Sequence, residues 1–473
     1  MEVHVSLVGR KDLTGEIYRQ LRRAILDGRL PPGGRLPPTR ELAGRLNVSR
    51  TTVTVAYDRL TGEGFITSRV GAGTFVSDDV AAPAGPAPPA GGALRPRPLW
   101  DAVMVPTGFD KPARFDFRTG IPDATLFPYQ SWRRLLARQL RPAAVGSGAY
   151  GDPAGHAGLR LAIARHIGLA RGVQAGAEVV VVTNGTQQAV DLVARVLLAP
   201  GDRVAVESPG YGPPRRLLAS LGAEVTGVPV DDQGLVVEAI PPRTRLVYVT
   251  PSHQFPLGVA MSLPRRLALL AWAERHDAAV VEDDYDSEFR YGGRPIEPLQ
   301  TLDPSGRVIY VGSFSKTLLA TLRLGFLVAP ASLAAAVRNA KFLADWHTPL
   351  PTQAALADFI DQGLFARHLR RMRAVYQQRH EQIVESLADR FADHLKLVPS
   401  SAGLHVTATA PTSTPEELQA VLDRASAASV ALQPLSMFDH GPPSQPGIVV
   451  GHGAITTADI EEGLGRLRRC FEV

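Results

Sequence analysis

Between residues 81 and 98 the chain reads AAPAGPAPPAGGALRPRP, and no packed core can be built from such a stretch. Proline fixes φ and lacks an amide donor, while alanine and glycine offer too little apolar surface to offset the entropy of ordering. The run reads as a semi-rigid, extended tether, able to span roughly 55 Å at about 3.1 Å per residue. It forces a division of the 473 residues into a small N-terminal domain (1–78), a linker (79–114) and a large C-terminal domain (115–473).

Charge follows the same division. From Arg10 to Val70 there are 12 Lys/Arg against 6 Asp/Glu, a net +6, whereas the whole chain carries +5. A basic small domain tied to a near-neutral large one points to a polyanionic partner for the first only. The single cysteine, Cys470, removes any disulfide framework or Cys-based zinc site, fits a reducing compartment, and leaves no metal site to expect. Charge or proline interrupts every apolar run short of the ~18–20 residues of a membrane span, and the N-terminus lacks a signal-peptide apolar core. A cytoplasmic protein with no membrane partner is expected.

Three helical patterns precede the tether: Ile17, Leu21, Ile25 and Leu30; Leu42 and Leu46 after Thr39 as N-cap; and Val53, Tyr57 and Leu60 after Ser49. The short joint at Asn47–Val48 has helix-turn-helix spacing. Residues 65–69 and 74–76 form two strands around Gly71-Ala72-Gly73, a β-wing. In such a motif the N-terminus of the second helix meets base edges, which singles out Arg50, Thr51, Thr52 and Thr54. Arg40 and the wing suit backbone or minor-groove contact.

The strings LPPTRELAGRLNVSRTTVTVAYDRLTGEGFI (36–66) and GAGTFV (71–76) resemble the winged helix-turn-helix of the GntR family of bacterial regulators. The resemblance implies a double-stranded DNA operator as partner, with contacts from Arg40, Arg50, Thr52 and Gly71. Pro38 stands where a small polar residue is commoner.

From residue 115, strand candidates (Val179–Thr183, Arg203–Glu207, Leu246–Thr250, Val280–Asp283, Val308–Val311, Gly325–Ala329) alternate with helical patterns such as Thr186–Leu198 and Pro264–His276. The alternation predicts a doubly wound α/β domain. The last ~130 residues, with helices Ala366–Ala388 and Pro415–Ser426 and strands Leu404–Ala408 and Ile448–Val450, read as a smaller α+β lobe.

Beyond the tether's start only Lys111, Lys316, Lys341 and Lys396 remain as lysines. Lys316 follows a strand in VIYVGSFSKTLLATLRLG, with Arg323 nearby; a desolvated lysine beside another cation has a lowered pKa and can form a Schiff base. In VVEDDYDSEF (280–289) Asp283 ends a strand, where a carboxylate can keep a pyridine nitrogen protonated, and Tyr285 offers a phenol. The strand–turn–helix at 179–197 opens at Gly185, Thr186 and Gln187, whose amides form a phosphate site. Tyr211 offers an aromatic face for stacking.

In this order these residues resemble the fold-type I pyridoxal-phosphate enzymes of the aminotransferase class. The resemblance implies pyridoxal 5'-phosphate as cofactor, Lys316 as its internal aldimine and catalytic residue, and Asp283 at the pyridine nitrogen. It further implies Tyr285 at the phenolic oxygen, Tyr211 on the ring, and Gly185, Thr186, Gln187, Ser313, Ser315 and Arg323 around the phosphate. Tyr150 matches a tyrosine donated to the partner subunit's phosphate. Two departures stand out. Phe255, in TPSHQFPLG (250–258), replaces the asparagine that touches the phenolic oxygen. Val449, in GIVVGHGAIT (447–456), replaces the arginine that grips the substrate carboxylate, with Arg118 or His452 as substitutes. Without that clamp much differential transition-state binding is gone, so efficient turnover is not expected.

The joined pieces, with SHQFPLG, EDDYDSEFRY, the Ala-Gly-Leu-His at 402–405 and FARHLRRMRAVYQQR (365–379), resemble the MocR subfamily of GntR regulators, which includes regulators of vitamin B6 synthesis. That implies a domain-swapped homodimer whose large domain senses either pyridoxal phosphate itself or an amine or amino acid that forms an external aldimine. The alternative is an active aminotransferase carrying an auxiliary DNA-binding domain.

Overall fold

The computed structural model describes residue 5 and residues 12–69, 71–79, 94–101, 103, 113–292, 297–441 and 443–472. The Pro-rich run 81–92 and Lys111 lie outside them. Two compact units emerge, residues 1–100 and 101–473.

In the first unit, helices α1 (Leu13–Leu26), α2 (Thr39–Leu46) and α3 (Arg50–Gly62) pack with a small sheet of β1 (Arg35–Leu36), β2 (Ile66–Arg69) and β3 (Gly73–Val76), in the order β1-β3-β2. The apolar residues recur at helical spacing, so Ile17, Leu21, Ile25, Leu42, Val53, Tyr57 and Leu60 all enter one core. Between α2 and α3 the chain turns at Asn47, left-handed at φ 53°, a conformation asparagine tolerates. Ser49 caps α3 by accepting from the Thr52 amide. One expectation fails: Pro38, not Thr39, is the N-cap of α2, and it provides no side-chain cap bond. Thr39 is the first helical residue instead.

The second unit is built on an eight-stranded sheet and a smaller lobe. Its strands are β4 (Phe115–Asp116), β5 (Val180–Thr183), β6 (Arg203–Ser208), β7 (Glu224–Asp231), β8 (Gly234–Leu235), β9 (Thr244–Val249), β10 (Ala279–Asp284), β11 (Val308–Ser313), β12 (Gly325–Val328), β13 (Lys396–Leu397), β14 (His405–Thr409), β15 (Val430–Ala431), β16 (Gln433–Pro434) and β17 (Gly447–Gly451). The large sheet runs β5-β12-β11-β10-β9-β6-β7-β8. Strands β11, β10, β9, β6 and β7 are parallel, while β12 runs antiparallel between β11 and β5. The α/β expectation holds, with a mixed sheet. Only residues 314–324 separate β11 from β12, and a parallel return needs a longer crossover. Strand β7 escaped the sequence reading because most of its residues remain partly exposed, so no continuous apolar run marks it.

Helices cover both faces, as buried parallel strands require. Helix Thr186–Leu197 packs on one face with Val181, Val206, Tyr248 and Val311. Helices Tyr129–Gln139, Ala157–Arg171 and Leu350–Asp361 pack on the other, with Val182, Tyr310 and Phe326. The smaller lobe carries the sheet β13-β14-β17-β16. It is not confined to the last ~130 residues: β4 pairs with β15, and Phe115 and Phe117 sit fully buried in the lobe's core. Each such burial contributes roughly 1.5–3 kcal/mol. Helix Leu364–Arg390 joins the lobes, with Phe365 in a large-sheet core and Ile383 and Leu387 in the small-lobe core. Among the described residues no helix is long and apolar enough to cross a membrane.

Candidate functional site

On the winged unit the first turn of α3 divides into two kinds of residue. Arg50 and Thr51 are exposed, and neither side chain has a hydrogen bond to a described residue. Thr52 is 2.7 Å from Ser49 Oγ, and Thr54 donates to the Arg50 carbonyl at 3.0 Å. Their hydroxyls are occupied within the helix, which leaves Arg50 and Thr51 as the free donors. Arg40 is exposed in the first turn of α2. At the wing tip Gly71 has φ 78° and nothing within 4 Å of a notional Cβ. This is a turn that other residues would strain and that leaves the backbone open to close approach.

In the second unit the carboxyl ends of β10 and β11 place Asp283 and Lys316 together, near the β5–helix turn, as open α/β sheets do with their ligands. The Lys316 amine donates to the Gly120 carbonyl at 2.7 Å. Burial holds it below the ordinary lysine range, with Asp286 and Asp283 pulling back and Arg323 adding to the fall. Asp283 is almost fully buried. Its Oδ2 accepts from the Tyr248 hydroxyl at 2.5 Å, and its Oδ1 is buried with no partner among the described residues. Burial raises its pKa to about 7, against the Tyr248 hydrogen bond. Sequence reasoning missed Tyr248, which looked like any aromatic in a buried strand.

The phosphate turn is equally legible. Gly185 caps helix Thr186–Leu197 at φ 79° with no side-chain cap bond, so the first-turn amides stay open. A Cβ on Gly185 would lie 2.9 Å from an Arg323 guanidinium nitrogen, which itself donates to the Asn184 carbonyl at 2.8 Å. Arg323 thus stands over the turn, itself in a left-handed conformation at φ 51°. Ser313 ends β11 and accepts from the Ser315 amide at 3.1 Å. Thr186 is half-buried and Gln187 exposed.

Tyr211 is pushed up to about 12 by burial, and its ring meets Phe255 edge-on at 5.6 Å. The Tyr285 hydroxyl donates to the His253 carbonyl at 3.1 Å and lies 3.0 Å from His253 Nδ1. That nitrogen pairs with buried Asp286 at 3.0 Å. Tyr150 is 74 % exposed and stacks on Trp346 at 4.2 Å, the placement of a residue facing outward. His253, Asp286 and His405 bring three ligand-type atoms within 4.8 Å of one another, but His405 Nε2 already serves the Pro256 carbonyl.

Both departures from the aminotransferase pattern are built in. Phe255 packs among Tyr211, Tyr285, His405 and Phe438, and Val449 is fully buried with Phe255, Leu435 and Phe438. An apolar cluster therefore surrounds Val449, the position at which the resemblance would put the carboxylate clamp. Arg118 is held by Asp116 through contacts of 2.9 and 2.6 Å. His452 is fully buried, with neither ring nitrogen partnered, and burial holds it neutral.

The donor set fits a phosphorylated pyridine aldehyde: an orphan carboxylate oxygen for a ring N–H, an uncapped helix end with an arginine for a phosphate, and a desolvated amine. Together with a basic winged helix-turn-helix, it defines a DNA-binding transcriptional regulator that uses pyridoxal phosphate. Residues 13–76 match the bacterial regulatory proteins of the gntR family, and residues 115–467 match aminotransferase class I and II. The chain belongs to this family of fused regulators, the MocR type. It is 41% identical over 463 residues to the probable rhizopine catabolism regulatory protein MocR of Rhizobium meliloti, across 96% of this chain and 93% of that one. It is 33% identical over 447 residues to the pyridoxine biosynthesis regulator PdxR of Corynebacterium glutamicum, across 93% and 91%. Among solved structures, the α-aminoadipate aminotransferase LysN of Thermus thermophilus matches with TM-score 0.69 and 30% identity, over 76% of this chain and 92% of that one.

Proposed function

We propose that the large domain is a sensor whose cofactor pocket reads an amine-bearing effector or the cofactor's own availability, and that the reading sets operator affinity. The observation that carries it is Asp283 Oδ1, a buried carboxylate oxygen without a partner among the described residues, close enough to the desolvated Lys316 amine for its charge to act on it. An orphaned buried acceptor costs about 1–3 kcal/mol, a cost a ring N–H would remove.

Lys316 would hold the cofactor covalently, Asp283 would keep its ring nitrogen protonated, and Tyr211 would stack on the ring. Thr186, Gln187, Ser313, Ser315 and Arg323 would bind the phosphate, and Tyr285, beside His253, would orient the phenolic oxygen. When bound, the cofactor supplies an electrophilic aldehyde carbon that captures amines. Exposed Tyr150 would complete a partner's phosphate site in a homodimer. The apolar wall at Phe255 and Val449 argues against efficient transamination of α-amino acids, because no cation there holds a carboxylate. Arg40, Arg50, Thr51 and the Gly71 wing would contact a duplex operator, with Thr52 and Thr54 placing the helix. A cytoplasmic location follows from that task.

Linkage requires that an effector bind the two operator-binding dispositions with different affinity. A titration of the purified chain with pyridoxal phosphate, then with a panel of amines and amino acids, tests this when operator affinity is measured at each state. Spectral changes that track operator affinity are expected. Cofactor loading and amine capture that leave operator affinity unchanged would overturn the sensor reading, and robust steady-state transamination would favour the enzyme alternative.

A further inference from the structure

Adjacent residues of one strand point to opposite faces. Asp283 lies on the face covered by helix Thr186–Leu197, so Asp284 lies on the other, paired with Gly312 beside Tyr310. On that far face there is a cavity of about 450 Å³ that shares only Ser313 with the cofactor constellation. Its size suits a small metabolite.

The polar lining is unevenly satisfied. Asp284 Oδ2 receives three donors, Arg171 Nε at 2.8 Å, the Tyr310 hydroxyl at 2.6 Å and Ser287 Oγ at 2.9 Å. Its Oδ1 receives none from the described residues, although the side chain is only 1% exposed. Glu288 repeats the pattern. Its Oε1 is 3.9 Å from His166 Nε2, and its Oε2 is buried without a partner among the described residues. Native interiors seldom leave such acceptors unmet. Helix Leu364–Arg390 contributes Arg370 and Arg373 to the same lining, three residues apart and therefore on one face. Both are exposed, and among the described residues neither forms an ion pair or hydrogen bond. Arg290 adds a third guanidinium, held by the Ser252 carbonyl at 3.3 Å. With Arg171 and Asp284 neutralising each other, three arginines face one glutamate.

We propose that this cavity is a second ligand site, for a small anionic metabolite with an oxyanion at one end and a hydroxyl or amino donor at the other. Arg370 and Arg373 take the carboxylate or phosphate with their planar forks, and Asp284 Oδ1 and Glu288 Oε2 accept from the donor end. The site is linked to the cofactor pocket through one peptide, since Asp283 and Asp284 are neighbours, and through Ser313, which lines the cavity and ends β11. Occupancy therefore biases the cofactor pocket, and cofactor loading biases occupancy by the same factor.

The test uses the full-length, cofactor-loaded chain, so that the primary phosphate site is already filled. Glycerol 3-phosphate and L-glutamate are titrated separately by calorimetry, which distinguishes a phosphate from a carboxylate ligand. The expected result is saturable binding of at least one probe, weakened about tenfold or more in the R370A/R373A double variant, with the cofactor absorbance intact. Both arginines are exposed, so the variant should fold. Hydrogen exchange on the wild-type chain should show protection at residues 284–290 and 366–373. No binding of either probe below about 10 mM would overturn the proposal, as would binding that the double variant leaves unchanged. Absence of a cofactor band in the wild-type chain after loading and before any probe is added would count instead against the Lys316 assignment.

Discussion

Two helix N-termini in this molecule belong to its proposed binding sites, and they are finished differently. Helix α3 of the winged unit is closed by its own Ser49, whose oxygen accepts from the Thr52 amide at 3.1 Å. Helix Thr186–Leu197 of the large domain opens at Gly185, with no side-chain cap. The capped helix has its first-turn amide satisfied from within, and on the proposed reading it would meet the duplex with side chains, chiefly Arg50. The open helix leaves its first amides, and with them the positive end of its dipole, uncapped beside Arg323, where a cofactor phosphate would sit on the proposed reading. A helix that must stand alone satisfies itself, whereas a helix built around a cofactor leaves its donors for that cofactor.

The contrast can be broken at several points. Lys316→Ala should have the largest effect, complete loss of covalent cofactor attachment, read as disappearance of the visible absorbance band with an unchanged far-UV spectrum. A persisting band would refute the assignment.

Asp283→Asn should weaken cofactor affinity by about 10–100-fold, the equivalent of one charge-assisted hydrogen bond. The same variant tests a pH dependence of the cofactor-free chain. Burial raises the Asp283 pKa to about 7, so the carboxyl is favoured neutral in the fold. Its contribution to stability is fully present below the ordinary carboxylate range and is lost as pH rises through about 7. Glu207 and Glu282, also raised to about 7 by burial, act in the same direction. Denaturation midpoints of the cofactor-free chain should fall over that window, and less steeply in the variant. Cofactor loading should flatten the wild-type profile, because a ring N–H stabilises the ionised form.

On the DNA side, Arg50→Ala should reduce specific operator binding by about 1–3 kcal/mol, measured by anisotropy against a mismatched duplex at fixed salt. An equal loss on both duplexes would move Arg50 from base contact to backbone contact. The smallest effect belongs to the cap. Ser49→Ala should destabilise the winged unit by about 1 kcal/mol in chemical denaturation while leaving cofactor binding untouched.

The winged unit was almost wholly legible in the sequence, because its core residues recur at helical spacing and its turns carry Asn and Gly where left-handed backbone is needed. The misplaced cap at Thr39 shows the limit: a hydroxyl before an apolar pattern resembles a cap, but Pro38 already takes the cap position and the helix starts at Thr39, one residue earlier than that reading allowed. In the large domain Lys316, Asp283 and the Gly185 turn announced themselves by residue type and by their place after apolar strands. Tyr248, the Gly120 carbonyl and the far-face carboxylate Asp284 did not, since their roles depend on what lies across the sheet.

Local periodicity, turn chemistry and the proline-rich break are short-range properties, and they marked two units and most of their elements, while the cofactor was read from the resemblance that Lys316, Asp283 and the Gly185 turn carry. Which atoms are left without partners is another matter. The free oxygens of Asp283, Asp284 and Glu288 exist only because residues distant in the chain converge on one side of each carboxylate and not the other. Hydrogen-bond satisfaction is a three-dimensional sum over neighbours, so the tertiary structure decided it.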